Sequence, residues 1–451
     1  MKQSFAGDES TPILQTDDEL ETEIFSYVDR RRQRLVSLVS DLIRIPSENT
    51  PPLGAEGACQ DYIARALQTA GWEPDVYELS AVEGLIQHPL FQAGRDYAGR
   101  PNVGARRRGQ NGGRSLLLSG HVDTVPRGTQ SWSRDAFGGQ IEDNRIFGRG
   151  ANDMKAGVAM NLFVAETVAE LGWNLGGDLL FESVVDEEFG GVNGTLAGRL
   201  RGYNADAAVI SEPSFLRVCP AQRGGRTVHI TFRAPGSGVL TEGVFPAGVV
   251  EQLTHFLSKV PEFAAQRKAK CRVHDLYAHH ADPVPVSVTK VFTSPWGTTE
   301  PITIPETCQV EFYWQLMPGE TQQDVAHEFL DWLSSTVQAA PRVFSVPPEV
   351  QWPIRWLPGS AISKSEPLVR ELAACAEAVL GTAPPVTGIE GPCDMFVFHQ
   401  EFATPAVLWG PRGGNTHSAD EYVDIDSLVA AAKVLLLFVH RWCGVQAPRV
   451  A

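Results

Sequence analysis

Short apolar runs and segments of helical periodicity alternate along the chain. Leu35, Leu38, Val39 and Leu42 recur at helical spacing, which predicts one amphipathic helix reaching about Ile43 and ended by Pro46. Thr16-Asp17-Asp18-Glu19 fits a capping box at its start. A second helix is predicted over about 55–70, closed by Gly71, and the Gly- and Arg-rich segment 84–113 reads mostly as loop. Four apolar runs then end in polar side chains. Leu116–Leu118 leads to His121, and "GDLLFESVV" leads to Asp186-Glu187-Glu188. "ADAAVI" leads to Ser211-Glu212-Pro213, and "TPAVLWG" is followed by a Gly-rich loop and His417. Between the first two lies "MKAGVAMNLFVAETVAEL", a helix with an apolar face. Strands alternating with helices predict an α/β domain with a mostly parallel sheet flanked by helices. Ligands of such sheets bind beyond the carboxyl ends of the strands, where these His and carboxylate residues fall.

The middle of the chain has a different rhythm. "GRTVHITFRA" alternates like a strand with one wet face, and a helix over about 247–257 follows. Two runs near 285–292 and 308–316, a helix near 321–337 and a run at 349–356 complete the pattern. It predicts a compact α+β unit over 218–356, inserted in a domain made of 1–217 and 357–451.

The length, 451 residues, suits two or three domains, and 43% hydrophobic with 20% charged residues provides a sizeable core. A net charge of −16 with no basic stripe argues against nucleic-acid binding. No apolar run reaches about 18 residues, so no membrane span is expected, and the first twenty residues carry no secretory h-region. Seven scattered cysteines without a Cys-x-x-Cys pair suit reduced thiols in a cytoplasm.

Each polar strand end has a plain reading taken singly: a satisfied histidine, a solvated Glu pair, a helix-capping Asp153. Together they suggest a metal pair. Imidazole nitrogen and carboxylate oxygen suit Zn²⁺, with Co²⁺ or Mn²⁺ possible. Two histidines and three carboxylates hold two ions only if one carboxylate bridges, and Asp153, in the short loop "GRGANDMK", is placed to do so. Asp123 shares a strand face with His121 and is expected to accept its second N–H. Glu187 and Glu188 are adjacent and point opposite ways, so one should bind metal while the other takes a proton from activated water.

"SGHVDTVP", "GRGANDMKAG", "VVDEEFGG", "SEP" and "THSADEYV" resemble, in order and spacing, the five motifs of the M20 metallopeptidase family. "YAGRPNV" and "IPETCQVEFYWQLMPGET" look like its acetylornithine deacetylase and succinyl-diaminopimelate desuccinylase branch. The resemblance runs from about residue 30 to 440. It implies a zinc-hydrolase domain with an inserted lid that commonly forms the dimer interface. It implies two Zn²⁺ per chain: His121, Asp153 and Glu212 on one, Asp153, Glu188 and His417 on the other. Glu187 would be the general base, Asp123 would support His121, and the Asp153–Met154 peptide would be cis. Three positions depart from the family pattern. The lid histidine position falls on about Gly236, the following turn asparagine on Phe245, and a carboxylate-holding lid arginine on Gln315. Arg412 is a candidate substitute anchor, and His279 or His280, in a loop before a strand, a candidate for the missing histidine. The expected protein is a cytoplasmic homodimer that hydrolyses an N-acyl amino acid or related small N-acyl amine. A deformylase of a heterocyclic amine or a dipeptidase is the alternative, and a non-catalytic metal-retaining binding protein the rival from another class.

Overall fold

The computed structural model describes residues 17–110, 112–235, 237–238, 247–293 and 303–446. Thr16 of the capping box, Gly236 and Phe245 lie outside the described residues. The expected single N-terminal helix is two, Asp17–Arg30 and Arg32–Ile43, broken at Arg31. The break lets both apolar faces reach one core: Ile24 and Val28 from the first helix, Leu35, Leu38 and Leu42 from the second, are all buried. The next helix is Gly57–Thr69, and the chain leaves it through Gly71 at φ +78°, a left-handed turn that glycine makes without strain.

A nine-stranded sheet organises the rest. In spatial order it runs Ser360–Ala361, Val218–Gln222, Ala406–Leu408, Ala207–Ile210, Leu116–His121, Leu179–Val184, Asn102–Arg107 and Asp75–Tyr77, with Val386–Ile389 also paired to Val218–Gln222. The four strands from Ala406–Leu408 to Leu179–Val184 are parallel, as expected. Their flanks are antiparallel. Leu116, Leu117 and Leu118 are fully buried, as strands between parallel neighbours must be. His121 pairs with Val184 and Ile210 with Ser119, so the chemistry-bearing ends share one edge.

Two elements differ from expectation. Asn102–Arg107 is a strand inside the segment read as loop; its arginines and Gly104 mask the pattern. A Cβ on Gly104 would lie 2.2 Å from the Tyr203 ring, so the glycine is a packing requirement. Residues 218–222 belong to the large sheet, and the insert's own sheet starts at Gly224.

That second sheet has four antiparallel strands in the order Val286–Phe292, Thr307–Leu316, Gly224–Arg233, Glu349–Gln351. Helices Val249–Lys270 and Gln322–Gln338 accompany it. The first continues well past residue 257, with Pro261 inside it. Phe256, Phe263, Phe312, Trp314, Phe329 and Trp332 form a core separate from that of the large sheet. The wet face expected for Gly224–Arg233 is mostly covered; His229 reaches Glu311 and Arg233 reaches Glu349 across it.

Helix Lys155–Glu170 is buried from Lys155 through Val168, as an element apolar on every side must be. It follows Asp153 directly, and its Gly157 lies against the turn that carries Glu212. A Cβ at Gly157 would stand 1.9 Å from Ser211 O. In an open helix Gly→Ala gains about 1 kcal/mol; here the clash reverses the sign, with overpacking costing roughly 1–3 kcal/mol. Gly157→Ala is therefore expected to lower the melting temperature of the protein. A variant melting at or above the parent would refute this packing account.

Candidate metal centre

His121 closes its strand with Nε2 3.1 Å from Asp153 Oδ1 and 3.4 Å from Glu212 Oε1. His417, at φ +60°, places Nε2 2.8 Å from Glu188 Oε2 and 3.4 Å from Asp153 Oδ2. Asp153 thus gives one oxygen to each histidine. His121, Asp153 and Glu212 form one triad of potential ligand atoms within 4.8 Å, and Asp153, Glu188 and His417 form another. This donor set fits two divalent cations sharing one carboxylate. Glu187 stands outside both triads, its Oε2 3.9 Å from His121 Nε2. The Asp153–Met154 peptide is cis.

Asp123 is fully buried but does more than expected of it. His121 Nδ1 lies 3.0 Å from the backbone carbonyl of Asp123 and 3.5 Å from its carboxylate. The carbonyl is the nearer partner that fixes the tautomer. The carboxylate instead accepts the backbone N–H groups of Glu187, at 3.0 and 3.1 Å, and of Glu188, at 3.1 Å. It therefore fixes the turn that carries the candidate base and one ligand.

Glu421, also buried, does the same for the bridge. Its Oε1 accepts from Asn152 N at 2.9 Å and Asp153 N at 3.0 Å; its Oε2 accepts from Gly150 N at 3.0 Å and Arg149 Nη1 at 2.7 Å. Four donors on one carboxylate lock the Asp153 loop to the His417 segment. Glu421 lies in "THSADEYV", four residues after the histidine, yet the sequence assigns it no role, because its partners, three backbone N–H groups and the Arg149 side chain, leave no spacing signature.

The carboxylates confront one another. Burial first, then the charge of Asp153, raises Glu188 to about 7 and Glu212 to about 8. Burial, partly opposed by His121 and reinforced by Glu212, Asp394 and Glu188, pushes Glu187 well above the usual carboxylate range. Burial works against a charged His417, but hydrogen bonds and charge from Asp153 and Glu188 prevail and raise it to about 11.

The other candidates are not gathered in. Arg412 is exposed, held by its backbone to Ser427 and Asp424, and its guanidinium makes no ion pair among the described residues. The His279 and His280 rings lie tilted with centroids 4.2 Å apart, and His279 Nε2 is 3.2 Å from Thr387 Oγ1; no ion pair or hydrogen bond among the described residues joins them to the triads. Gln315 accepts a hydrogen bond from Arg223, itself buried.

A mixed α/β fold, strand ends bearing two triads with a shared aspartate, and an independently cored insert define a metal-dependent hydrolase. The model of peptidase family M20/M25/M40 matches residues 117–441, and the chain belongs to that family of amide-bond hydrolases. An N-formyl-4-amino-5-aminomethyl-2-methylpyrimidine deformylase from Halalkalibacterium halodurans is 27% identical over 450 residues, 93% of this chain and 97% of the relative. A succinyl-diaminopimelate desuccinylase from Methylobacterium radiotolerans is 38% identical over 211 residues, 45% of this chain and 47% of the relative. The dipeptidase Dug1p of Saccharomyces cerevisiae shares the fold, with a TM-score of 0.74 at 16% identity over 94% of this chain and 98% of that one.

Elemental analysis of the zinc-reconstituted protein is expected to find about two ions per chain. Because His417, Glu212 and Glu188 are raised to about 11, 8 and 7, they hold protons near pH 7 that an arriving cation must displace. Zinc binding at pH 7 should release protons and weaken as pH falls. Calorimetric titrations in two buffers of different ionisation heat measure the release; no buffer dependence would contradict the assignment.

Proposed function

We propose that the protein is a two-metal amidohydrolase that removes the acyl group from an N-acylated small amine or amino acid, with Glu187 as general base. The observation that carries this reading is Asp153 divided between two triads while Glu187 stands beside them uncommitted. Bound divalent ions, zinc on this reading with cobalt or manganese as alternatives, would polarise the acyl oxygen and acidify water. His121, Asp153 and Glu212 would hold one ion, and Asp153, Glu188 and His417 the other. Glu187 takes a proton from the attacking water and passes it to the amine nitrogen as the C–N bond breaks, leaving a carboxylic acid and a free amine. Its raised affinity for protons, set mainly by burial, suits a group that must both accept and return one. Asp123 and Glu421 support the loops from behind.

A narrower version, release of formate from a heterocyclic N-formyl amine, is supported by deformylases that match at 27% and 25% over 93% and 94% of the chain; a desuccinylase matches at 27% over 87% of it, so removal of a larger acyl group stands close beside it. Cleavage of dipeptides stands behind it. A non-catalytic binding role is disfavoured by Glu187, which metal retention does not require.

The division into a catalytic unit and a lid rests on the two separate cores. Association of two copies through the insert is supported by its edge strand Val286–Phe292, where Val291 and Phe292 are exposed. Seven free cysteines are consistent with a reducing cytoplasm, and no helix among the described residues is long and apolar enough to cross a membrane. Arg412, five residues before His417, is the candidate substrate anchor. The notion that His279 or His280 faces an oxyanion draws no support from their contacts with Thr387 and each other.

Zinc-loaded protein assayed with N-formyl, N-acetyl and N-succinyl amines and with dipeptides should turn over at least one class. Glu187→Gln is expected to keep both metals and the melting temperature while lowering kcat at least ~10²-fold. Loss of metal in that variant would exchange the roles of Glu187 and Glu188, and parental turnover would remove Glu187 from the mechanism.

A further inference from the structure

Two buried carboxylates that belong to neither triad face a common amide. Asn49 is fully buried, and its Nδ2 donates to Asp123 Oδ2 at 2.9 Å and to Asp186 Oδ1 at 3.1 Å. The amide can meet two carboxylates only with its nitrogen. Its carbonyl oxygen pays with isolation, having no partner among the described residues. Asp186 is itself constrained: its φ is +66°, Tyr97 OH donates to its Oδ2 at 2.6 Å, and Arg95 Nη1 lies 3.6 Å from its Oδ1. Asp123 carries the backbone N–H groups of Glu187 and Glu188. Asp186 is the residue before Glu187, so both ends of the turn are fastened through Asn49. The strand ends after His121 and after Val184 are joined here by one neutral side chain.

We propose that Asn49 is a positioning residue, a neutral clasp whose two N–H bonds hold the Asp123 and Asp186 carboxylates together and so set the place of Glu187 and Glu188. No smaller or charged side chain does both jobs. Alanine removes the donors that join the two buried carboxylates, leaving Arg95 and Arg100 beside Asp186 but nothing between it and Asp123, and aspartate adds a third carboxylate. Either change lets the turn open, and a shift of an ångström at a general base costs turnover rather than affinity. The inference rests on Glu187 being that base, but its structural half, the placing of Glu188, can be read without any substrate.

The test uses Asn49→Ala, Asn49→Asp, the milder Asn49→Ser, which keeps a shorter donor, and the exchange Asn49→Asp/Asp186→Asn, which returns an amide to the clasp. Cobalt-loaded protein reports the ligand geometry through its visible absorption, whatever the substrate proves to be. The expected result is a changed cobalt spectrum in the single variants with cobalt still bound, and partial return towards the parent in the exchange. With the substrate found by the screen, kcat should fall about tenfold or more while KM changes less than about threefold. Val434→Ala, a buried change in the long C-terminal helix, controls for lost stability. Parental cobalt spectra and kcat within twofold in the single variants, or losses no larger than those of a Val434→Ala protein of equal melting temperature, would overturn the clasp. If Glu187→Gln remains active while the cobalt spectra of the Asn49 variants change, the base assignment fails and the clasp survives.

Discussion

Like charge held at close quarters is the constraint on which the site depends. Asp153, Glu188 and Glu212 each lie within 4.8 Å of their triad partners, and Glu187 stands 3.9 Å from His121. Glu188 and Glu212 are largely buried and Asp153 and Glu187 only partly exposed, so their repulsion is less screened than in water. A loop left free would swing its carboxylate outward. The fold prevents this from beneath, with backbone N–H groups as handles. Asp123 grips the Glu187–Glu188 turn, and Glu421 grips the Asp153 loop at three backbone positions. Both anchoring carboxylates are spent on donors and have little capacity left for a cation. The candidate ligand carboxylates, by contrast, point into the cluster and meet the histidines there, with only Glu188 also accepting a backbone N–H, that of Val125, among the described residues. The same residue type thus serves as anchor or as ligand according to what its oxygens already accept.

Preparation of this kind bears on metal binding. Ligands already converged need not be ordered when the ion arrives, and the opposing cost is the removal of protons, held on Glu188 and Glu212 by burial and the charge of Asp153 and on His417 by its hydrogen bonds to Asp153 and Glu188. The His121 ring is also set beforehand, because its Nδ1 is engaged by the Asp123 carbonyl and only Nε2 faces the cluster.

The parts of this site that could be read in the sequence are those that act through side chains at strand ends. An apolar run with a polar residue at its close marks a parallel strand entering a site, and His121, Glu187–Glu188 and Glu212 carry that mark, while His417 follows its run after a Gly-rich loop. Asp153 was legible through the short loop "GRGANDMK", which can approach both ions. Glu421 and Asn49 were not, because their partners are backbone amides or carboxylates far away in the chain, and nothing in local periodicity records such contacts. The carbonyl of Asp123 as partner of His121 was hidden for the same reason. At the level of the fold, Asn102–Arg107 escaped because its glycine exists to admit Tyr203, and the strand 218–222 because its apolar pattern suits either sheet.

The insert is tied to the large-sheet domain at several places, which limits how it can act on the site. The chain leaves at Gly224 and returns at Leu357, and these crossings touch: Gly225 N donates to Leu357 O at 2.9 Å, and a Cβ on Gly224 would stand 2.5 Å from that same oxygen. The crossings are not the whole junction. Leu276, Tyr277, Val284 and Met317 of the insert pack against Ala221, Ala361 and Val386, Tyr277 OH donates to Ile389 O at 3.0 Å, and Arg355 Nη1 donates to Leu90 O at 2.6 Å. A unit fastened at several places transmits strain rather than swinging freely. His121, Asp153, Glu188, Glu212 and His417 all lie outside the inserted segment. The insert comes near their turns at Gly190, two residues after Glu188, which packs close to Ile354 and Leu357. A change at the return crossing would be felt there, in the turn that carries Glu187 and Glu188.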